Sequence, residues 1–158
     1  MKKIIALLLT VIMVLGIVAC GNKAEPGTVG ETLLADFKAN ANKSAQEIAD
    51  AVCGNEILPF EPMVMPVEPG LMMGFDNAEI TGFKEGITFA PMVSTIPFLG
   101  YVFELEDGTD VEAFKTTLEK NANLRWNICT EAEELVVDSE GNMVFFLMCP
   151  KSFEETVE

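Results

Sequence analysis

Residues 58–75, LPFEPMVMPVEPGLMMGF, constrain the fold more than any other stretch. They hold four prolines and four methionines in eighteen positions. Proline lacks the backbone N–H that a helix interior or a central strand needs, so neither is available here. The segment is therefore extended. Its many apolar side chains predict that it lies against a core and wraps the body, with the methionines filling irregular gaps.

The flanking sequence supplies conventional elements. Leu33, Leu34, Phe37 and Ala41 recur at helical spacing and predict a helix over 31–42. Ser44 and Glu47 form a capping-box pattern ahead of Ile48, Ala51 and Val52, with Gly54 as a stop, so a short helix spans 45–53. Beyond the proline segment, 80–83, 86–89 and 92–96 read as short strands limited by Pro91 and Pro97. In 99–106, Tyr101, Phe103 and Leu105 share one strand face, and Val102, Glu104 and Glu106 the other. Asp107-Gly108 turns the chain into a third helix over 110–122, with Thr109 and Glu112 as a second capping box. Residues 133–138 and 142–149 form a closing β-hairpin around Ser139-Glu140-Gly141. Its second arm is apolar on both faces and belongs inside the sheet. The order predicts an α+β fold: a mostly antiparallel sheet of about four strands packed on one main helix, with two short N-terminal helices.

The first twenty residues stand apart. Lys2 and Lys3 precede an apolar run from Ile4 to Ala19, too short for a comfortable transmembrane span and placed as a secretory signal is. The string Ile17-Val18-Ala19-Cys20 resembles the lipobox of bacterial lipoprotein precursors. That resemblance implies a diacylglyceryl thioether on Cys20, cleavage before it, and a protein held on the extracytoplasmic face of the cell membrane. The expected organisation is a signal peptide over 1–19, a lipidated cysteine and flexible tether over 20–30, and one α+β domain over 31–158. Cleavage removes two lysines and no acids, leaving 8 basic against 25 acidic side chains, a net charge of −17. Such a body is repelled by anionic headgroups and is expected to stand off the surface.

Residues 44–151 also resemble an uncharacterised family of lipoprotein domains from Gram-positive anaerobes. The shared features are the lipobox, the capped helix, the proline-and-methionine segment, the acid-rich strand–helix unit over 103–118 and the closing hairpin. The strings Ile96-Pro-Phe-Leu-Gly-Tyr101 and Leu124-Arg-Trp-Asn-Ile-Cys-Thr130 are similar to signature segments of a narrower group. The resemblance implies an α+β fold and a cell-surface location. It implies no activity, cofactor or site residue.

Composition excludes several chemistries. There is no histidine, which removes imidazole general bases, Ser-His-Asp and Cys-His systems and His-ligated zinc. The acidic balance argues against nucleic acid as a partner. After Cys20, three cysteines remain. If the hairpin pairs Asp138 with Asn142 or Met143, Cys149 falls near position 131 or 132, and Cys129 comes within reach of a disulfide; buried inert thiols are the alternative. Met63-Val-Met65 has the alternation of some Cu(I) thioether sites, but gap-filling explains it more simply. The acids at 104–112 are hard oxygen ligands that would suit Ca²⁺, although their spacing matches no EF-hand loop. Arg125, the sole arginine, precedes Trp126, the sole tryptophan. Together they form a candidate partner-binding pair, against the simpler reading that Trp126 covers a sheet edge and Arg125 neutralises a nearby Glu. The expected function is non-catalytic: a membrane-anchored binding or adaptor module for an envelope protein, with a small-ligand or calcium-binding surface protein as the alternative. No cofactor and no metal site is expected.

Overall fold

The computed structural model describes residues 24–92 and 95–153. Three helices, α1 (Val29–Asn40), α2 (Ala45–Cys53) and α3 (Val111–Asn121), accompany seven strands. The strands are β1 (Pro62–Val67), β2 (Gly70–Leu71), β3 (Glu79–Ile80), β4 (Phe83–Pro91), β5 (Leu99–Leu105), β6 (Glu134–Glu140) and β7 (Met143–Cys149). The main sheet has five strands in the order β1-β4-β5-β7-β6, every neighbouring pair antiparallel; β2 and β3 form a separate pair. The α+β class is as expected, with five strands in the sheet instead of about four.

Over its central strands β5 and β7 the sheet is buried on both faces, each against different elements. On one face, Val102, Phe145, Leu147 and Val136 meet Leu33 and Phe37 of α1 and Ile48 and Val52 of α2. On the other, Tyr101, Phe103, Phe146 and Val144 meet Phe114 and Leu118 of α3 and the 72–80 segment through Met72, Phe75 and Ile80. The sequence expectation of one main helix against the sheet is thus replaced by a helix pair on one side and α3 on the other. Strand β7 explains why: Met143, Phe145, Leu147 and Cys149 point to the first face, and Val144, Phe146 and Met148 to the second. A strand apolar on both faces needs cover on both.

Local chemistry sets the element ends. Ser44 and Glu47 make both bonds of the capping box, so α2 starts as predicted. At α3 the cap is Asp110, which accepts the Ala113 N–H at 3.0 Å, and not Thr109, whose hydroxyl donates to the Gly82 carbonyl at 3.1 Å. The expected strands over 80–83 and 86–89 merge differently: Gly82, at φ +94°, separates β3 from β4, and β4 then runs on through a bulge near Lys84. Met92, Thr95 and Ile96 lie in the β4–β5 connection, not in a strand. The proline segment contributes β1, an edge strand, where missing N–H groups are tolerated.

The fold begins earlier in the chain than expected. Helix α1 begins at Val29, Thr28 caps it, and Val29 and Gly30 are buried. A buried carboxylate explains this: Glu134 accepts from the Glu25 N–H at 2.8 Å and the Gly30 N–H at 3.3 Å, and lies 3.0 Å from the Thr28 hydroxyl. The positive end of α1 therefore sits on an anion supplied by β6. Residues 25–30 are part of the fold. Cys20 and the signal lie outside the described residues.

Candidate functional site

The strand register places a set of loops at one end of the sheet. Pro62 pairs with Pro91, Leu99 with Met148, and Glu134 with Cys149, so all lie at that end. The chain enters there as well: Val29 N–H donates to the Lys151 carbonyl at 3.0 Å, and Lys151 Nζ lies 2.7 Å from Glu25. The opposite end carries Glu104 and Glu140, with Asp107 just beyond β5.

At the entry end, a loop between α3 and β6 is closed at its base by Ala132 N–H donating to the Leu124 carbonyl at 2.9 Å. Asn123 pins it to the 73–76 segment, its N–H donating to the Gly74 carbonyl at 2.8 Å and its amide to Asp76 at 2.6 Å. The Tyr101 hydroxyl holds the same segment by donating to the Met73 carbonyl at 3.0 Å, and burial raises that phenol to about 12. So held, half-buried Trp126 lines a cleft of about 180 Å³ with Met73, Ala90, Pro91, Ile96, Phe98 and Asn127. The volume is below that of an ordinary small-molecule pocket.

An open apolar strip adjoins this cleft. Met63 is opposite Ala90 in the register, and Met65 is opposite Thr88, which in turn faces Tyr101. Both methionines therefore stand on the α3 face of the sheet. Helix α3 packs on β6 and β7, and the 72–80 segment covers the middle, so the β1 side is left uncovered. Met63 and Met65 are 41% and 43% exposed, and Met73 is 56% exposed. The expectation that the methionines fill core gaps fails for these three and for Met92, which is 80% exposed, and holds for Met72, Met143 and Met148, which are buried. The Met-x-Met alternation already put residues 63 and 65 on one strand face; what it could not give was the partial cover over that face.

The sequence-predicted residues are distributed unevenly. Trp126 lies in the cleft, and Arg125 is beside it in the chain but exposed, with Nε 3.7 Å from Glu131. The neutralising role thus fits Arg125, and the packing role fits Trp126, which lies against the sheet-face core. Cys129 and Cys149 do not pair. The hairpin turns on Gly141-Asn142 alone, pairing Glu140 with Met143, and the register puts Cys149 opposite Glu134, five residues beyond Cys129. Cys53, Cys129 and Cys149 are free thiols, with Cys149 buried and Cys129 exposed. Burial raises the Cys53 thiol to about 12, and burial with the nearby Glu134 carboxylate pushes Cys149 higher still. Neither supplies a thiolate nucleophile near neutral pH.

Two of the acids of 104–112, Glu104 and Asp110, serve structural ends. Glu104 is 2.9 Å from Lys84 and accepts from Asn142, while Asp110 caps α3. Among the described residues, no group of three or more Cys, Asp or Glu side chains is placed to hold a metal ion. On the far side of the Phe60–Phe98–Phe153 cluster, a second cleft of about 360 Å³ runs between Gly27, Ile57, Pro59 and Lys151. The lysine, the only cation lining it among the described residues, is engaged with Glu25.

No family model, curated protein or solved structure matches the chain. No helix among the described residues is long and apolar enough to cross a membrane.

Proposed function

We propose that this chain is an extracytoplasmic lipoprotein, held to the cell membrane by a diacylglyceryl group on Cys20, that acts as a non-catalytic adaptor for another envelope protein. Its kinship with the uncharacterised lipoprotein domains of Gram-positive anaerobes belongs to the same proposal and rests on the sequence strings given above.

The observation that carries the binding role is the open strip of Met63, Met65 and Met73 beside the Trp126 cleft. Methionine on a half-covered sheet face is adaptable and apolar, and tryptophan is a common anchor in protein interfaces. Arg125 at the rim adds a directional polar contact, since its partner Glu131 is itself exposed and easily displaced. The lack of histidine and the raised thiols favour binding over nucleophilic or general-base catalysis.

In-cell crosslinking of the lipidated protein, read by mass spectrometry, tests this reading. Wild type should capture one dominant envelope protein, and Met65→Glu and Arg125→Glu should each lose it. Capture of abundant bystanders only, unchanged in both variants, would overturn the adaptor role.

A further inference from the structure

We propose that the entry end of the sheet docks on the lipid bilayer, with Met92 and Ile128 inserted at the boundary between headgroups and acyl chains. This rests on the anchoring of Cys20 proposed above and adds an orientation to it. It also replaces the expectation that the body stands off the surface.

Reach is the first argument. The described chain begins at Ala24, and residues 25–30 are fixed to the fold by Glu134 and Lys151. Three residues lie between Cys20 and Ala24, and the four extended steps across them span at most roughly 14 Å. Acyl chains on Cys20 therefore hold this end of the sheet at the membrane, whatever the path of the link.

Exposure is the second. Met92 is 80% exposed and Ile128 is 85% exposed, the two most exposed large apolar side chains among the described residues. They lie on the β4–β5 and α3–β6 connections, both of which leave the sheet at the end where the chain enters. Ile128 has φ +60°, a left-handed conformation that a β-branched residue adopts only at a cost. Within the fold that cost gains no burial. An apolar phase outside the chain supplies the burial, and the tether puts one within reach.

Charge is the third. Glu104, Asp107 and Glu140 sit at the far end of the sheet, away from the lipid. The entry end is not basic either: Glu131 pairs with Arg125, Glu25 engages the Lys151 ammonium, and exposed Glu61, Asp76 and Glu133 leave this end net acidic. Docking is therefore apolar in origin, strong on zwitterionic lipid and weaker on anionic lipid.

Trp126 is the only tryptophan and lies two residues from Ile128, so its fluorescence reports the contact directly. The lipidated full-length mature protein is reconstituted in phosphatidylcholine vesicles containing acyl-brominated phosphatidylcholine. Docking predicts loss of at least about half the Trp126 emission, because an interfacial side chain sits within reach of the bromines. A Met92→Glu/Ile128→Glu variant, altered only at exposed positions, should keep its melting temperature and its flotation with vesicles yet lose the quenching. Wild type that floats with unquenched Trp126, or a variant quenched equally, would overturn docking while leaving the anchor intact. Crosslinking of residues 92 and 128 to an envelope protein without quenching would do the same and assign the tips to that protein. A chain that carries no acyl group on Cys20 and does not float would sink the anchor reading, and docking with it.

Discussion

Truncating Glu134 to alanine should loosen the point where the chain enters the fold. The carboxylate is buried and accepts from the Glu25 N–H at 2.8 Å and the Gly30 N–H at 3.3 Å. The nearby Thr28 hydroxyl has a single proton and also lies 2.7 Å from the Glu25 carbonyl, so the two amide bonds carry the estimate. Hydrogen bonds to a charged group contribute about 1.5–3 kcal/mol each; taking the low end because Glu25 is only partly buried gives a loss of about 3 kcal/mol. At roughly 3–4 °C per kcal/mol for a domain of this size, the melting temperature should fall by about 10 °C. Thermal denaturation followed by circular dichroism measures this, with Glu131→Ala as a control at an exposed acid. Hydrogen exchange should show the amides of residues 25–30 opening in the variant before the sheet does. A melting temperature equal to the control's, with residues 25–30 still protected, would refute the claim that Glu134 fixes this segment.

Other consequences are independent of it. Under native conditions a maleimide should label Cys129 rapidly and Cys149 only on unfolding, because the first thiol is exposed and the second is buried with its ionisation suppressed; equal rates would contradict the burial. Burial alone would raise the Asp138 carboxyl, but Lys38, at 2.7 Å, and the Ser139 N–H hold it below its ordinary value. A lowered folded-state pKa means that the stabilisation is complete above the unfolded value near about 3.9 and is lost as pH falls through the folded one. Asp138→Asn should therefore cost up to about 1 kcal/mol at pH 7, the pair being part-exposed, and nothing in strong acid. A cost that grows on acidification would have the wrong sign.

The parts of the fold legible in the sequence are those fixed by local chemistry. Ser44, Glu47 and Gly54 mark both ends of α2, and the two-faced apolar run 143–148 makes β7 an interior strand without reference to anything distant. Long-range pairing decided the rest. In the sequence Glu134 is only an acid at the start of the hairpin's first arm, and the arrival of the α1 N-terminus turns it into a buried acceptor. Met63 and Met65 read as core material, and become surface because α3 and the 72–80 segment cover the sheet face only in part. The cysteine pairing failed on the length of the hairpin turn: a two-residue turn at Gly141-Asn142 puts Glu134, not residue 131 or 132, opposite Cys149.

Intact-mass analysis of the protein extracted from its own membranes tests the proposed anchor on Cys20. The expected product is a chain that begins at Cys20, carries a diacylglyceryl group on that cysteine, and partitions into detergent. A chain that begins elsewhere, or one with an unmodified Cys20 that stays in the aqueous phase, would contradict it.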